Sequence, residues 1–445
     1  MTRLSDLLRG ARPGVRGADQ RQKARARRAV GIVAASVAAI SLGAWATAQV
    51  LDDAPDTHQD PAALSAPGQH DVGYERVRTA DGLEVHAWYP TARPSTGASD
   101  GEMRYVVRNR FQAFLPGETI TNLGRATEGE APDRGDGPYP LVVLSAGFAL
   151  SPTFYSTLIE HYVSHGMVVL GPEHDEAFQP GPGWNHKILV DRPQDISTTI
   201  DLAEELTEPG GTLEGVIDTS SVAAVGHSFG GYSALAAGGA RLNLGPHLRR
   251  CAQLDPRDPL THFCVPLAGN EDDMARHAGL PKAPTGLWPS MRDTRITSVI
   301  SMAGDAYVFD SAGLSSLEVP VMAMGGTADN GTPYEWGAEL TFEAASSATR
   351  SLATFDGGDH MLFGAPCARL PWVSKTPYGT RGFCDDPVWR KDYAQRLIKR
   401  YSTAFLLATL RCDADAQRAL TPPSPSSPGF TYTARPAPTE EPCRH

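Results

Sequence analysis

The sequence predicts an α/β domain with a mostly parallel central sheet and helices on both faces. Three observations predict it. Short, unbroken apolar runs recur at 140–145, 167–170, 222–225, 296–302 and 319–324, the composition of strands buried on both sides. Helix-like segments lie between them at 154–164 and 192–206, the second with an apolar stripe at Ile196, Ile200, Ala203 and Leu206. Several runs open at their C-terminal ends onto glycines and acidic residues, where parallel sheets carry their chemistry. With 445 residues and 41% hydrophobic content, the chain has enough apolar material for one large core with insertions.

Residues 1–28 carry nine Arg or Lys against Asp6 and Asp19, a local charge of +7, so the overall −11 leaves −18 on the remainder. An acidic body argues against a nucleic-acid partner. The basic stretch ends at Arg27-Arg28, and residues 29–51 follow without a charge, long enough to cross a bilayer with some tilt. With the small-residue Ala46-Thr47-Ala48 near its end, residues 1–51 read as an export signal, cleaved or kept as a membrane anchor. The Arg pair also permits a twin-arginine route. Either way the body is expected outside the cytoplasm, touching the membrane only through this segment. Six cysteines fit an oxidising compartment, and their order suggests bonds between sequence neighbours: Cys251 with Cys264, Cys367 with Cys384, Cys412 with Cys443. Neither C-x-x-C nor H-E-x-x-H occurs, so no metal site is expected.

The polar, proline-bearing residues 52–70 read as a tether. The folded body, 71–412, is expected to begin with a hairpin in which 74–78 and 83–89 alternate around Asp81-Gly82. Residues 91–138 are rich in Gly, Pro, Thr and acidic side chains and suggest no role, with 105–114 their one stretch of ordered composition. Strand, helix and strand then alternate from 140 to the run at 222–225.

That run feeds Gly226-His227-Ser228-Phe229-Gly230, followed by an alanine-rich helical segment. A G-x-S-x-G between strand and helix forces the serine into a strained turn, tolerable only where the flanking glycines lack side chains, and lifts its hydroxyl above the sheet edge. Such an alcohol attacks a carbonyl only when a base takes its proton, and the imidazolium so formed needs a carboxylate on its other nitrogen. The loops after the later runs supply both in the order nucleophile, acid, base: Ser228, Asp329 in GGTADNGTP, and His360 in DGGDH. The oxyanion donors are expected to be the backbone N–H groups of Phe229 and of Phe148, with Gly147 giving the second loop its freedom to turn.

Five segments, PLVVLSAGF, YSTLIEHYVSHGMVVLGPEH, GHSFGG, GGTADNGTP and GGDHMLF, resemble the α/β-hydrolase fold. Within it they are similar to bacterial esterases related to platelet-activating-factor acetylhydrolases and predicted dienelactone hydrolases. The similarity runs from the AWYP at 87–90 through the helical segment 390–410, and the SHG and PEH pieces are what narrow it. Polyester-degrading cutinases are similar over the same motifs, including Gly147-Phe148. Two departures matter. Ala146 stands where acetylhydrolases commonly carry histidine, and their catalytic acid resembles Asp305 of MAGDAY rather than Asp329. Asp329 is favoured, with Asp305 left as a helix cap or pocket residue.

Residues 241–292 form an insertion, with Cys251, Cys264, Leu287, Trp288, Pro289 and Met291, placed where it could act as a lid over a pocket; Trp288 reads more simply as core. A helix with Leu397, Tyr401, Ala404, Phe405 and Ala408 on one face should close the sheet. Residues 413–445 read as a Pro-rich tail, disordered over 422–442, with Cys443 pinning its end. The expected protein is an exported serine esterase acting on small or lipid-like esters through an acyl-Ser228 intermediate, without cofactor. Two alternatives stay open, a peptidase or amidase on the same residues, and a non-catalytic ligand-binding homologue.

Overall fold

Alternation along the strands decides which side each residue faces, and two apolar layers result. The computed structural model describes residues 64–91, 103–108, 110, 119–176, 186–255, 264, 267–371, 383–420 and 427–435; the expected leader lies outside them. No described helix is long and apolar enough to cross a membrane. The strands are β1 (Asp71–Arg78), β2 (Glu84–Thr91), β3 (Met103–Arg108), β4 (Thr119–Gly124), β5 (Thr127–Glu128), β6 (Tyr139–Ser145), β7 (Val168–Pro172), β8 (Ile217–His227), β9 (Ile296–Met302), β10 (Val321–Gly326), β11 (Arg350–Phe355) and β12 (Phe430–Arg435). Ten form one sheet in the order β12-β11-β10-β9-β8-β6-β7-β2-β1-β5. From β11 to β7 every neighbouring pair is parallel, while β2 and β12 join the two sides of this block antiparallel.

The helices that matter for the site are α1 (Ser156–Ser164), α2 (Ile188–Thr207), α3 (Phe229–Gly238), α4 (Leu244–Cys251), α5 (Glu271–His277) and α6 (Lys391–Leu410). Val142, Leu144 and Val225 face Leu158, Tyr162, Ile398 and Phe405 of α1 and α6. Leu141, Val143 and Ala224 face Ile196, Ile200 and Leu235 of α2 and α3. Burying both faces is what makes the central strands read as unbroken apolar runs, and the sheet comes out as the α/β class requires.

Three segments differ from expectation. Residues 64–70, read as tether, are fixed to the C-terminal end of α1: His161 and His165 Nε2 lie 2.9 and 3.0 Å from the carbonyls of Leu64 and Ala66, and Gly68 N–H donates to Ser164 Oγ. Residues 91–138, given no role, contribute the antiparallel pair β3–β4, whose Tyr105 accepts from Trp88 Nε1 and donates to the buried Glu160 carboxylate. Glu160 also accepts the Arg125 and Ala126 amides, so a buried charge is met by several donors. The tail read as disordered is the largest correction. Its residues 430–435 form β12 along the whole of β11, and Phe430 packs 5.0 Å from Phe355 and 4.8 Å from Tyr401, ring centre to ring centre. The period-two pattern Phe430, Tyr432 was hidden by proline-rich flanks, and the edge of β11 supplied a tertiary partner that composition could not show.

Cys251–Cys264 and Cys367–Cys384 are disulfides, and Cys412 is disulfide-bonded to a partner outside the described residues. In the insertion, α4 packs on the body through Arg250, whose guanidinium sits 4.2 Å from the centre of the Trp336 ring, and through His247 against Tyr307. Trp288 is a core residue, 3% exposed. Phe430→Ala removes the anchor of β12 and is expected to destabilise the protein by about 3–5 kcal/mol, read as a lowered denaturant midpoint.

Candidate active site

The turn at Ser228 is set by two glycines and one strained residue. Ser228 has φ 56° and ψ −126°, a backbone region that a residue with a side chain seldom occupies. A Cβ on Gly226 would lie 2.0 Å from the Gly230 carbonyl oxygen, and one on Gly230 would lie 2.0 Å from that of Ser145, so neither position accepts any other residue. Ser228 N–H donates to the Met302 carbonyl at 2.9 Å, tying the turn to β9.

The loops beyond β10 and β11 bring two more groups to this turn. His360 opens a 3-10 turn capped by Asp359, whose carboxylate accepts the His360 amide at 2.7 Å. The His360 Nδ1–H faces both Asp329 oxygens at 2.9 and 3.0 Å, and Ser228 Oγ lies 2.8 Å from Nε2. Asp329 is itself held by the amides of Gly331 and Thr332, at 2.8 and 2.7 Å. Gly331 lies so close that a Cβ there would meet the imidazole at 2.4 Å. The favoured Asp329 and the alternative Asp305 therefore have different partners. Asp305 is buried behind the cluster, accepts from Thr332 Oγ1 at 2.6 Å, and makes no side-chain cap to its helical turn. Burial raises its pKa to about 6, with the Thr332 bond opposing. Burial also disfavours a charge on His360, but Asp329, by charge and hydrogen bond, and then Asp305 and Asp359 outweigh it and hold its pKa above the ordinary histidine value.

The loop after β6 carries Phe148, whose ring meets that of Phe229 edge to face at 6.2 Å. This loop is held from below by Arg192 of α2, a residue whose role the sequence did not reveal. Its guanidinium donates to the carbonyls of Ala146 and Gly147 at 2.7 and 3.2 Å and to Ser145 Oγ at 3.3 Å. It also makes a two-pronged pair with Glu176, whose carboxylate accepts the Ala149 amide. The side chains of both are 1% exposed, and the guanidinium stacks 5.0 Å from the Phe229 ring centre. The only hint was that GPEHDE and the helix at 192 bring opposite charges near one strand end.

A second Ser–His–Asp set lies beside the first. Ser145 Oγ is 2.9 Å from His174 Nε2, and His174 Nδ1 is 2.6 Å from Asp195. Ser145 is fully buried and Ser228 alone sits in the strained turn, so the second set is a structural bond between β6, the PEH loop and α2. Of two groupings of metal-ligand residue types among the described residues, His247 with Cys251 and Cys264 has its sulfurs joined in a disulfide. The other, His70 with Asp133 and Asp136, belongs to the partly exposed segments before β1 and β6.

Comparison with known proteins bears on the fold. Residues 130–258 match the family model Chlorophyllase, and residues 74–178 match that of platelet-activating factor acetylhydrolase, isoform II. The ferulic acid esterase from Streptomyces cinnamoneus is similar in structure, with a TM-score of 0.52 and 20% identity, covering 83% of this chain and 98% of that one. No curated protein matches the chain. The fold is that of the α/β hydrolases. The two family models each match less than a third of the chain, and both, like the structural relative, carry the names of ester-cleaving enzymes.

Arg192→Ala would leave the buried Glu176 carboxylate uncompensated. It is expected to lower stability by about 3–5 kcal/mol in chemical denaturation, and Glu176→Gln in the same chain should recover part of the loss.

Proposed function

We propose that the protein is an exported serine esterase in which Ser228 is the nucleophile, His360 the general base and Asp329 the acid that orients and stabilises the imidazolium. The observation that carries this reading is the continuous contact from Ser228 Oγ through the His360 ring to Asp329, at 2.8 and 2.9 Å. In the attack, Oγ bonds to the ester carbonyl carbon as its proton passes to Nε2. Collapse expels the alcohol, which takes that proton, and leaves an acyl-Ser228; water then repeats the sequence and releases the acid. The backbone amides of Phe229 and Phe148 receive the oxyanion, each such bond contributing about 3–4 kcal/mol to the transition state.

The substrate class is a small or lipid-like carboxylic ester. The matched families and the ferulic acid esterase all carry names of ester-cleaving enzymes, and the paired rings of Phe148 and Phe229 beside the nucleophile suit an apolar or aromatic group. Two disulfides are compatible with export, and the basic, then uncharged, residues 1–51 supply the signal.

Ser228→Ala is expected to reduce turnover of p-nitrophenyl esters on the order of a millionfold and to abolish labelling by a fluorophosphonate, with an unchanged unfolding midpoint. Undiminished turnover would remove the serine from its role, and faster cleavage of matched amides than esters would favour a peptidase. The pH profile has a definite sign. Only neutral His360 accepts the serine proton, so kcat/KM should fall as pH drops through a pKa above the ordinary histidine value. Asp359→Asn removes a carboxylate that favours the imidazolium while keeping an acceptor for the turn, and should move that acidic limb to lower pH.

A further inference from the structure

The loop after β6 and the loop that carries His360 are joined beneath the serine by a single chain of polar groups. Gly147 N–H donates to Tyr155 Oη at 3.1 Å, Tyr155 Oη is 2.8 Å from His227 Nδ1, and His227 Nε2 is 2.9 Å from the His360 carbonyl oxygen. The protons have one consistent placement. A carbonyl only accepts, so Nε2 of His227 carries the hydrogen; a neutral ring then presents a lone pair at Nδ1; and Tyr155, already accepting from Gly147, donates into it. Every bond runs in the same direction. Burial favours these neutral states, driving the His227 pKa well below and the Tyr155 pKa well above their ordinary values.

Two further facts show that the geometry is tight. A Cβ on Gly147 would stand 3.1 Å from Tyr155 Oη and 3.4 Å from His227 Nδ1, so a side chain there would press on the first of these atoms and touch the second. Tyr155 and His227 are each 1% exposed and sit where β8 and α1 meet apolar neighbours such as Leu158, Val225 and Phe363. Hydrocarbon side chains there would meet the packing requirement alone. A fully satisfied polar chain instead fixes distance and direction between the two loops it joins.

We infer that Tyr155 and His227 are positioning residues that hold the oxyanion loop and the main chain of His360 in one fixed relation, so that the base and the oxyanion donor reach the substrate together. The inference rests on the roles proposed above for Ser228, His360 and the Phe148 amide, and adds two residues to them. Neither touches substrate. His227 has a second property suited to the place: its ring lies 4.9 Å from that of His360, and a neutral neighbour puts no second positive charge beside the imidazolium that forms during attack.

The test is steady-state hydrolysis of p-nitrophenyl butyrate by the whole protein, with active sites counted by fluorophosphonate titration, for Tyr155→Phe, His227→Phe, His227→Gln and the double Phe variant. Glutamine keeps an acceptor and a donor on either side of one carbon, as the ring does. Tyr155→Phe and His227→Phe are each expected to lower kcat per titrated site about 10- to 100-fold with KM changed less than about twofold, since a small misplacement of reacting groups costs that much. His227→Gln should return kcat to within about fivefold of the parent, and the double variant should be no slower than either single one, because both cut the same chain. Binding of a butyl boronic acid, which presents a tetrahedral oxyanion, should weaken by the factor lost in kcat/KM. Tyr155→Phe with kcat per site within twofold of the parent overturns the inference, as does multiplicative loss in the double variant. If His227→Phe fails to fold, Tyr155→Phe and His227→Gln decide alone. Activity surviving in Ser228→Ala is a different result, sinking the parent reading rather than this one.

Discussion

The strained backbone at Ser228 is the constraint around which the molecule is arranged. A residue with positive φ between a strand and a helix persists only when its surroundings leave no relaxed alternative, and here they leave none. Gly226 and Gly230 admit contacts at which any side chain would collide, β9 takes the serine amide, and α3 starts directly beyond it. The position is thereby fixed in the middle of the parallel block, between β6 and β9. From there the hydroxyl is within reach of loops from β6, β10 and β11, so three separate stretches of chain can contribute to one spot.

Those loops are held by polar groups withdrawn from water. Arg192 carries the loop after β6 from below, with Glu176 neutralising it, while Ser145, His174 and Asp195 bind the same strand end to α2. Buried charges of this kind seldom add net stability over apolar side chains of equal volume. What they offer is direction: an amide or carbonyl held by a guanidinium has one place to be. The contrast between the two Ser–His–Asp sets makes the same point. Identical residue types at similar distances suit chemistry beside the strained turn and serve as a fastener when buried within the strand end.

Much of this was legible in the sequence, for reasons that separate the readable from the unreadable. Unbroken apolar runs marked the central strands because both their faces are covered. Glycine patterns marked Ser228, Asp329 and His360 because turns at strand ends have few chemical solutions. The support beneath was hidden, since Arg192, Glu176 and Tyr155 are ordinary residues in ordinary helices and loops until folding brings them under Gly147. The arrangement of its loop favoured Asp329 over Asp305, and in the fold Asp329 faces the imidazole while Asp305 faces Thr332. The C-terminal strand was missed for a different reason, since proline, serine and threonine around residues 430–435 have the composition of unstructured chain, and only the open edge of β11 recruits the segment.

That late strand has a consequence for biosynthesis. The ribosome makes residues 430–435 after every other described strand, and Phe430 lies opposite Phe355 while the Gly429 carbonyl takes the Asp356 amide, at the root of the loop bearing His360. Until residues 430–435 emerge, this root lacks its neighbour and the edge of β11 stands uncovered. A nascent chain therefore completes the rim beside Ser228, His360 and Asp329 only after the rest of the described sheet has been made.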